Sequence, residues 1–128
     1  MILSKLEGMR MTKKITLMSD YGCDPVWWEE PDRVGDIEPE SLPLSKATRQ
    51  RLHSWANQYD ARLDWDDPSN SPILSYEEIE RFETEGLSLW QQLRKELAPD
   101  YEVLYFSDQF QKLIHHPQKL DRLSVISP

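Results

Sequence analysis

The segment SYEEIERFETEGLSLWQQLRKEL, residues 75–97, carries the clearest structural signal in the chain. Ser75 followed by Glu78 is a capping box, in which each side chain satisfies a backbone N–H that the first helical turn leaves without a partner. Pro99 ends the pattern, because proline cannot continue a helix. The segment therefore predicts an amphipathic helix. Its apolar stripe consists of Phe82, Gly86, Leu89, Trp90, Leu93 and Leu97.

A second amphipathic helix is predicted on the N-terminal side of this segment. Ser45 is a suitable N-cap, and apolar residues follow it at helical spacing. These residues are Leu52, Trp55, Ala56, Tyr59 and Leu63. Residues 64–72 contain three aspartates and two prolines, a composition that favours a turn between the two helices.

Two short apolar runs predict strands. They are Ile15–Met18 and Tyr101–Phe106, both of which contain β-branched or aromatic residues. The segment between Asp20 and Pro43 has four prolines and two glycines and follows neither the helical nor the strand period, so it predicts a long loop.

These elements predict an α/β (α+β) fold in the order strand, long loop, helix, helix, strand. A small two-stranded sheet would be covered by the two helices, because two strands alone form a marginal sheet. The direction of the two strands stays open, since the long loop can leave in either direction. The expected organisation is an N-terminal extension (residues 1–13), a single domain (14–106) and a C-terminal tail (107–128).

Composition and charge restrict the function classes. The 128 residues carry a net charge of −8, which repels duplex DNA and anionic lipid and disfavours nucleic acid or a membrane as a direct ligand. Cys23 is the single cysteine, so no intramolecular disulfide can form. With no apolar run typical of a signal peptide, the sequence predicts a cytoplasmic protein. Homodimerisation stays open.

The negative charge is clustered rather than spread evenly. Residues 20–40 hold eight acidic residues against Arg33 alone, and residues 57–85 hold nine against two basic residues. Such crowding costs self-repulsion, which solubility does not require. In the first cluster the acids flank a pair of tryptophans, a composition typical of protein-binding hot spots. The predicted partner-binding residues are Trp27, Trp28, Glu29, Glu30, Asp32 and Asp36.

The same segment has a second interpretation, in which the loop only wraps the fold and both indoles belong to the core. The choice between the two interpretations depends on whether Trp27 and Trp28 are exposed.

No residue pattern predicts catalysis, a metal site or a cofactor. Asp20 and Asp24 flank Cys23 and should raise its pKa, which opposes a nucleophilic thiolate. His53 has no serine or cysteine nucleophile motif beside it and is interpreted as a surface or half-buried histidine. The aspartates of residues 64–67 lack calcium-loop spacing, and the adjacent pair His115 and His116 has no third ligand nearby in sequence.

Three short motifs resemble those of a family of small uncharacterised bacterial proteins. They are DYGC-x-P-x-W at residues 20–27, LPLS at residues 42–45 and DDP at residues 66–68. The similarity extends over about residues 14–106. In size and acidity the chain is also similar to immunity proteins that neutralise bacterial toxins.

The leading hypothesis is therefore an acidic protein-binding protein, an immunity or antitoxin-type inhibitor of a cationic toxin or nuclease domain. Trp27 and Trp28 would anchor the partner, and Glu29, Glu30, Asp32 and Asp36 would steer it. The alternative is a non-catalytic structural or regulatory module.

Overall fold

The computed structural model describes residues 12–117. This part of the chain contains five strands and two α-helices. In chain order they are β1 (Lys13–Leu17), β2 (Val26–Trp28), β3 (Asp36–Ile37), α1 (Lys46–Asp60), α2 (Tyr76–Leu97), β4 (Tyr101–Ser107) and β5 (Lys112–Ile114). Short 3₁₀ turns lie at Pro39–Ser41 and Pro68–Asn70. None of the helices in this range is both long enough and apolar enough to cross a membrane.

The strands form one mixed sheet in the order β3-β2-β1-β4-β5. β1 and β4 run parallel, with Ile15 opposite Val103, and the other neighbouring pairs are antiparallel. The predicted two-stranded sheet is therefore wrong, although the class is still α+β. The two predicted strands form the central parallel pair, and three further short strands extend the sheet on both sides.

The three strands that sequence analysis missed are only two or three residues long. β2 and β3 lie in the segment predicted as a long loop, among prolines and glycines, and β5 lies in the segment assigned to the C-terminal tail. A run of three residues is too short to show a period of two. These strands exist because neighbouring strands offer them backbone hydrogen-bond partners, which is a tertiary effect: β2 pairs with β1, β3 with β2 and β5 with β4.

Both predicted helices are confirmed, together with their N-caps. Ser45 Oγ accepts a hydrogen bond from the Thr48 backbone N–H, and Ser75 Oγ accepts one from that of Glu78. Every residue of the apolar stripe predicted for α2 is buried. Ser75 Oγ also lies 3.1 Å from Glu78 Oε1, so the two side chains of the capping box are in contact.

Two fully buried tryptophans fix the helices to each other and to the sheet. Trp90 Nε1 on α2 donates to the Val103 carbonyl oxygen on β4 at 2.8 Å. Trp55 Nε1 on α1 donates to the Phe82 carbonyl oxygen on α2 at 3.0 Å. The Trp55 and Phe82 rings are stacked with centroids 4.5 Å apart. Each indole therefore buries a large apolar area without leaving its N–H unsatisfied.

The parallel arrangement of β1 and β4 places their carboxyl ends at the same end of the sheet. α1 also ends there and α2 begins there, since Tyr59 in the last turn of α1 lies 5.7 Å from the Phe82 ring. We call this region the carboxyl end of the sheet. It gathers segments that are far apart in the sequence.

Candidate partner-binding surface

The tryptophan pair singled out by the sequence is divided between the two faces of the sheet. Successive residues of a strand point to opposite faces. Trp28 lies opposite Ile15 and packs against the core on the helix-covered face. Trp27 lies opposite Thr16 on the face that points away from α1 and α2, which we call the outer face, and its Nε1 donates to the Met18 carbonyl oxygen at 3.0 Å. Both indoles are half-buried, and they do not form one joint docking face.

Trp28 is covered by a cation of the same chain. The Arg33 guanidinium lies 4.6 Å from the centroid of its ring. Arg33 Nε is also 3.9 Å from Glu30 Oε1. A partner cation that approached Trp28 or Glu30 would have to displace Arg33.

The remaining carboxylates of the predicted set have different surroundings. Glu29 Oε2 accepts a hydrogen bond from Thr16 Oγ1 at 2.8 Å, and Asp36 Oδ2 accepts one from the Asp24 backbone N–H at 2.8 Å. Asp32 is exposed. Glu29 and Asp36 lie on the outer face beside Trp27, because residue 29 is two positions after residue 27 and Asp36 pairs with Trp27 across strands.

A second acidic surface, which the sequence analysis missed, lies at the carboxyl end of the sheet. Here the Gly22 backbone N–H donates to Asp60 Oδ1 at 2.9 Å, which joins the loop after β1 to the end of α1. This contact brings the two acidic segments of the sequence together. We call the resulting surface the acidic end. Its carboxylates are those of Asp20, Asp24, Asp36, Asp60, Asp64, Asp66 and Asp67.

Two exposed aromatic rings belong to the same surface. Trp65 has 58% of its surface exposed and Tyr21 has 37%. Their ring centroids lie 6.2 Å apart in an edge-to-face arrangement. A large apolar ring among carboxylates is the arrangement that the sequence analysis looked for around Trp27 and Trp28. Trp65 was overlooked because the prolines and aspartates around it favoured a simple turn.

The pKa of the Cys23 thiol reflects the negative charge of the acidic end. Burial raises its pKa, and the carboxylates of Asp20, Asp36, Asp60 and Asp24 raise it further. The effect of Asp20 and Asp24 was predicted from their adjacency. Asp36 and Asp60 contribute only because the fold brings them close. A raised pKa keeps the thiol protonated and opposes a role as nucleophile.

Arg62, the nearest basic residue in sequence to Trp65, is directed towards the core. Its Nη1 lies 2.7 Å from Asp108 Oδ2, and both side chains are largely buried. Its guanidinium also lies 4.8 Å from the Tyr59 ring and 4.4 Å from the Phe82 ring. Arg62 is therefore held by Asp108 and two aromatic rings.

Comparison with known proteins gives the chain a family. The sequence model of the family described as Serratia CdiI immunity protein-like matches residues 13–108, most of the chain, from β1 to the end of β4. The chain belongs to this family. No curated protein matches it. The match supports the likeness to immunity proteins that size and acidity had predicted.

Other candidate groups in this family member contact partners within the fold. His53 Nε2 lies 2.7 Å from Glu40 Oε2 at the surface. Asp64 Oδ1 accepts the backbone N–H groups of Asp66 and Asp67, which closes the turn that carries Trp65. Among residues 12–117, no group of three or more histidine, cysteine or carboxylate side chains could hold a metal ion.

One buried carboxyl also escaped the sequence analysis. Glu83 on α2 is 4% exposed and lies within hydrogen-bonding distance of Tyr105 Oη and Ser107 Oγ on β4. Burial raises its pKa, whereas the hydrogen bonds from Ser107 and Tyr105 lower it, and the net direction is upward. Glu83 lies three positions before Gly86 and seven before Trp90, so it falls on the buried stripe of the helix. This spacing was the available signal of its burial. The group connects α2 to β4.

Proposed function

We propose that this protein is an immunity-type inhibitor that binds a cationic toxin or nuclease domain and blocks it stoichiometrically. The observation that carries the proposal is the acidic end, where two separate acidic segments meet around exposed aromatic rings. Membership of an immunity protein-like family supports it. The proposed activity is binding without catalysis, in the cytoplasm, with neither nucleic acid nor a membrane as ligand.

The physical basis is complementarity of charge. An enzyme that cleaves nucleic acid needs a cationic cleft to hold phosphate groups. An acidic protein is attracted by the same field, so it reaches the cleft rapidly and competes with the substrate. In residues 12–117, no carboxylate of the acidic end lies within 4.0 Å of a lysine or arginine nitrogen of the chain itself. Their negative field is therefore available to a partner.

The sequence-predicted set stays part of the proposal with divided roles. Trp27, Glu29 and Asp36 share the outer face and would contact a partner there. Trp28 and Glu30 would contribute only if Arg33 moved away, because it covers the ring of Trp28. Asp32 is exposed and would steer the partner.

The alternative, a structural or regulatory module, is favoured by one observation. Arg33 covers Trp28 and approaches Glu30, as expected of a hairpin that only closes the edge of the sheet. In that case the protein would not protect cells against a toxin.

The test is co-expression with the toxin domain encoded beside its gene. We expect cells to survive only when this protein is present, and a complex to form that weakens steeply as the salt concentration rises. The negative control is an immunity protein whose own toxin is unrelated. Co-expressed with the same toxin domain, it should not protect the cells. Equal killing with and without this protein, or a complex that is insensitive to salt, contradicts the proposal.

A further inference from the structure

Trp65 lies at the outer end of a row of aromatic rings that begins in the core. The row runs from Trp55 through Phe82 and Tyr59 to Tyr21 and Trp65. Its centroid separations are 4.5 Å, 5.7 Å, 4.5 Å and 6.2 Å. The inner rings are buried or half-buried, and the outer two are exposed. The exposed rings are therefore supported by contacts that lead to the rigid interior.

The Trp65 side chain is also fixed by its own loop. Its Nε1 donates to the Asp60 carbonyl oxygen at 3.1 Å. Ser71 Oγ accepts from the Asp64 backbone N–H and donates to the Pro68 carbonyl oxygen, both at 2.8 Å. A side chain that is already ordered loses little conformational entropy when it binds. Trp65 therefore has the rigidity expected of an interface anchor.

Trp65 is flanked by acidic residues in sequence. These are Asp60, Asp64, Asp66 and Asp67. Gly22, in the loop after β1, lies against its ring, because a Cβ at Gly22 would be 3.6 Å from Trp65 Cη2. Tryptophan has the aromatic ring that binds cations best, and nearby carboxylates strengthen the attraction. The chemistry of the site fits an arginine or lysine side chain.

Trp28 and Trp65 differ in whether a cation of the same chain lies over the ring. Within the described part of the chain, cations lie over Tyr101, Trp28, Tyr59, Phe82 and Trp90, and none lies over Trp65. Arg33 thus occupies the cation site of Trp28, whereas no lysine or arginine of residues 12–117 occupies that of Trp65.

We infer that Tyr21 and Trp65 form the anchor site of the interface and receive an arginine or lysine side chain of the partner. The inference rests on the proposed function and adds the residues that carry the binding energy. The carboxylates around the two rings bind the rest of the cationic surface, and Trp28 contributes little.

The first experiment measures the affinity of single variants for the toxin domain against which the protein protects. We expect Trp65→Ala to weaken binding by at least about 30-fold, as for an interface hot spot. Trp65→Phe should give an intermediate loss, because phenylalanine keeps an aromatic face. The matched control, Trp28→Ala, should change the affinity by less than about fivefold.

A second experiment uses a hexa-arginine peptide and does not depend on the toxin. The indole N–H signals are followed by NMR at low salt, and the signal that is lost in Trp65→Phe identifies Trp65. We expect the peptide to shift this signal most and high salt to reverse the shift. A larger shift at Trp27 or Trp28, or no shift at any indole, overturns the inference.

The two proposals fail in different ways. Wild-type protein that neither protects cells nor binds the toxin domain contradicts the proposed function. Wild-type binding that Trp65→Ala leaves within about threefold contradicts only the anchor site.

Discussion

Glu83 is a buried carboxyl on α2 whose hydrogen-bond partners lie on β4. Tyr105 Oη and Ser107 Oγ lie against its two oxygens, and Ser107 Oγ also accepts the Phe110 backbone N–H at 3.0 Å. Burial disfavours the charged form and hydrogen bonds favour it, and the first effect is larger because the pKa is raised. One side chain thus couples the stability of the fold to pH.

The replacement Glu83→Gln should change how stability depends on pH. Because the pKa of Glu83 is raised in the folded state, the folded protein binds the proton more tightly than the unfolded chain does. This contribution to the free energy of unfolding is complete below the ordinary pKa of 4.5 and is lost as the pH rises through the raised pKa. Wild type should therefore lose stability relative to Glu83→Gln over that range, as measured by urea unfolding.

A second variant checks the assignment to Glu83. Tyr105→Phe removes a hydrogen bond that lowers the pKa of Glu83, so the loss of stability should move to higher pH. If the free energies of unfolding of wild type and Glu83→Gln changed in parallel with pH, Glu83 would not be the group responsible for the pH dependence.

The close packing of α2 on the rest of the core depends on Gly86. A Cβ at this position would lie 2.5 Å from Tyr105 Oη and 2.7 Å from Trp55 Cζ2. Neither ring can move easily, because Tyr105 is fully buried and Trp55 is 1% exposed. Glycine in the middle of a helix costs about 0.5–1 kcal/mol relative to alanine. That cost is offset here by the close approach of α1, α2 and β4.

Gly86→Ala should therefore destabilise the protein although alanine is the better helix former. Overpacking a core costs about 1–3 kcal/mol, which exceeds the gain in helix propensity of about 1 kcal/mol. Because both distances at Gly86 are below 3.0 Å, the cost should lie in the upper part of that range, about 2–3 kcal/mol, and the net loss in the free energy of unfolding measured with urea should be about 1–2 kcal/mol. Gln91→Ala, on the exposed side of α2, should stay within about 0.5 kcal/mol of wild type.

An unchanged or increased stability of Gly86→Ala would mean that the two rings can yield. α2 would then be packed less tightly against α1 and β4 than the distances at Gly86 indicate.

The two ends of the central strands differ in charge pairing within residues 12–117. The carboxylates of the acidic end, where β1 and β4 finish, form no ion pair with a lysine or arginine of this range. Both signs occur where these strands begin: Lys14 Nζ lies 3.6 Å from Glu102 Oε2, and the Glu29 backbone N–H donates to the Lys14 carbonyl oxygen. Unpaired negative charge at one end orients the molecule in the field of a cationic partner before contact. It predicts that position, and not only net charge, controls association.

Two charge-reversed variants with the same change in net charge test this prediction. Asp66→Lys with Asp67→Lys alters the acidic end, and Asp100→Lys with Glu102→Lys alters the opposite end at the start of β4. The first pair should lower the association rate constant with the toxin domain by about tenfold or more at low salt, because surface charges act mainly on that rate. Stopped-flow mixing measures it.

The second pair is the control and should lower the rate far less. Equal effects of both pairs would show that net charge alone governs association and that the acidic end has no special position.

The helices and the central strands could be predicted because their signals are local. Ser75 with Glu78 and the stripe from Phe82 to Leu97 need no information from elsewhere in the chain, and the structure confirms that helix. β2, β3 and β5 could not be predicted in this way. They are too short to carry a period, and their stability depends on hydrogen bonds to neighbouring strands: β2 to β1, β3 to β2 and β5 to β4.

The candidate site also combines features that local sequence predicts with features that only the fold creates. Local sequence identified acidic segments and tryptophans and predicted an anchor at Trp27 and Trp28, which are adjacent in the chain. Strand geometry sends those two indoles to opposite faces. The contact of Gly22 with Asp60 joins residues that are 38 positions apart, and no local pattern reveals it.

The sequence by itself determined the two helices, the core residues of α2, the net charge and the two clusters of acids. These properties depend on composition and on short-range spacing. The tertiary structure alone decided the number of strands, the partners of the buried Glu83 and the meeting of both acidic clusters beside Trp65. Each of these arises when the folded backbone brings distant residues within a few ångströms of one another, a distance at which hydrogen bonds and charges act.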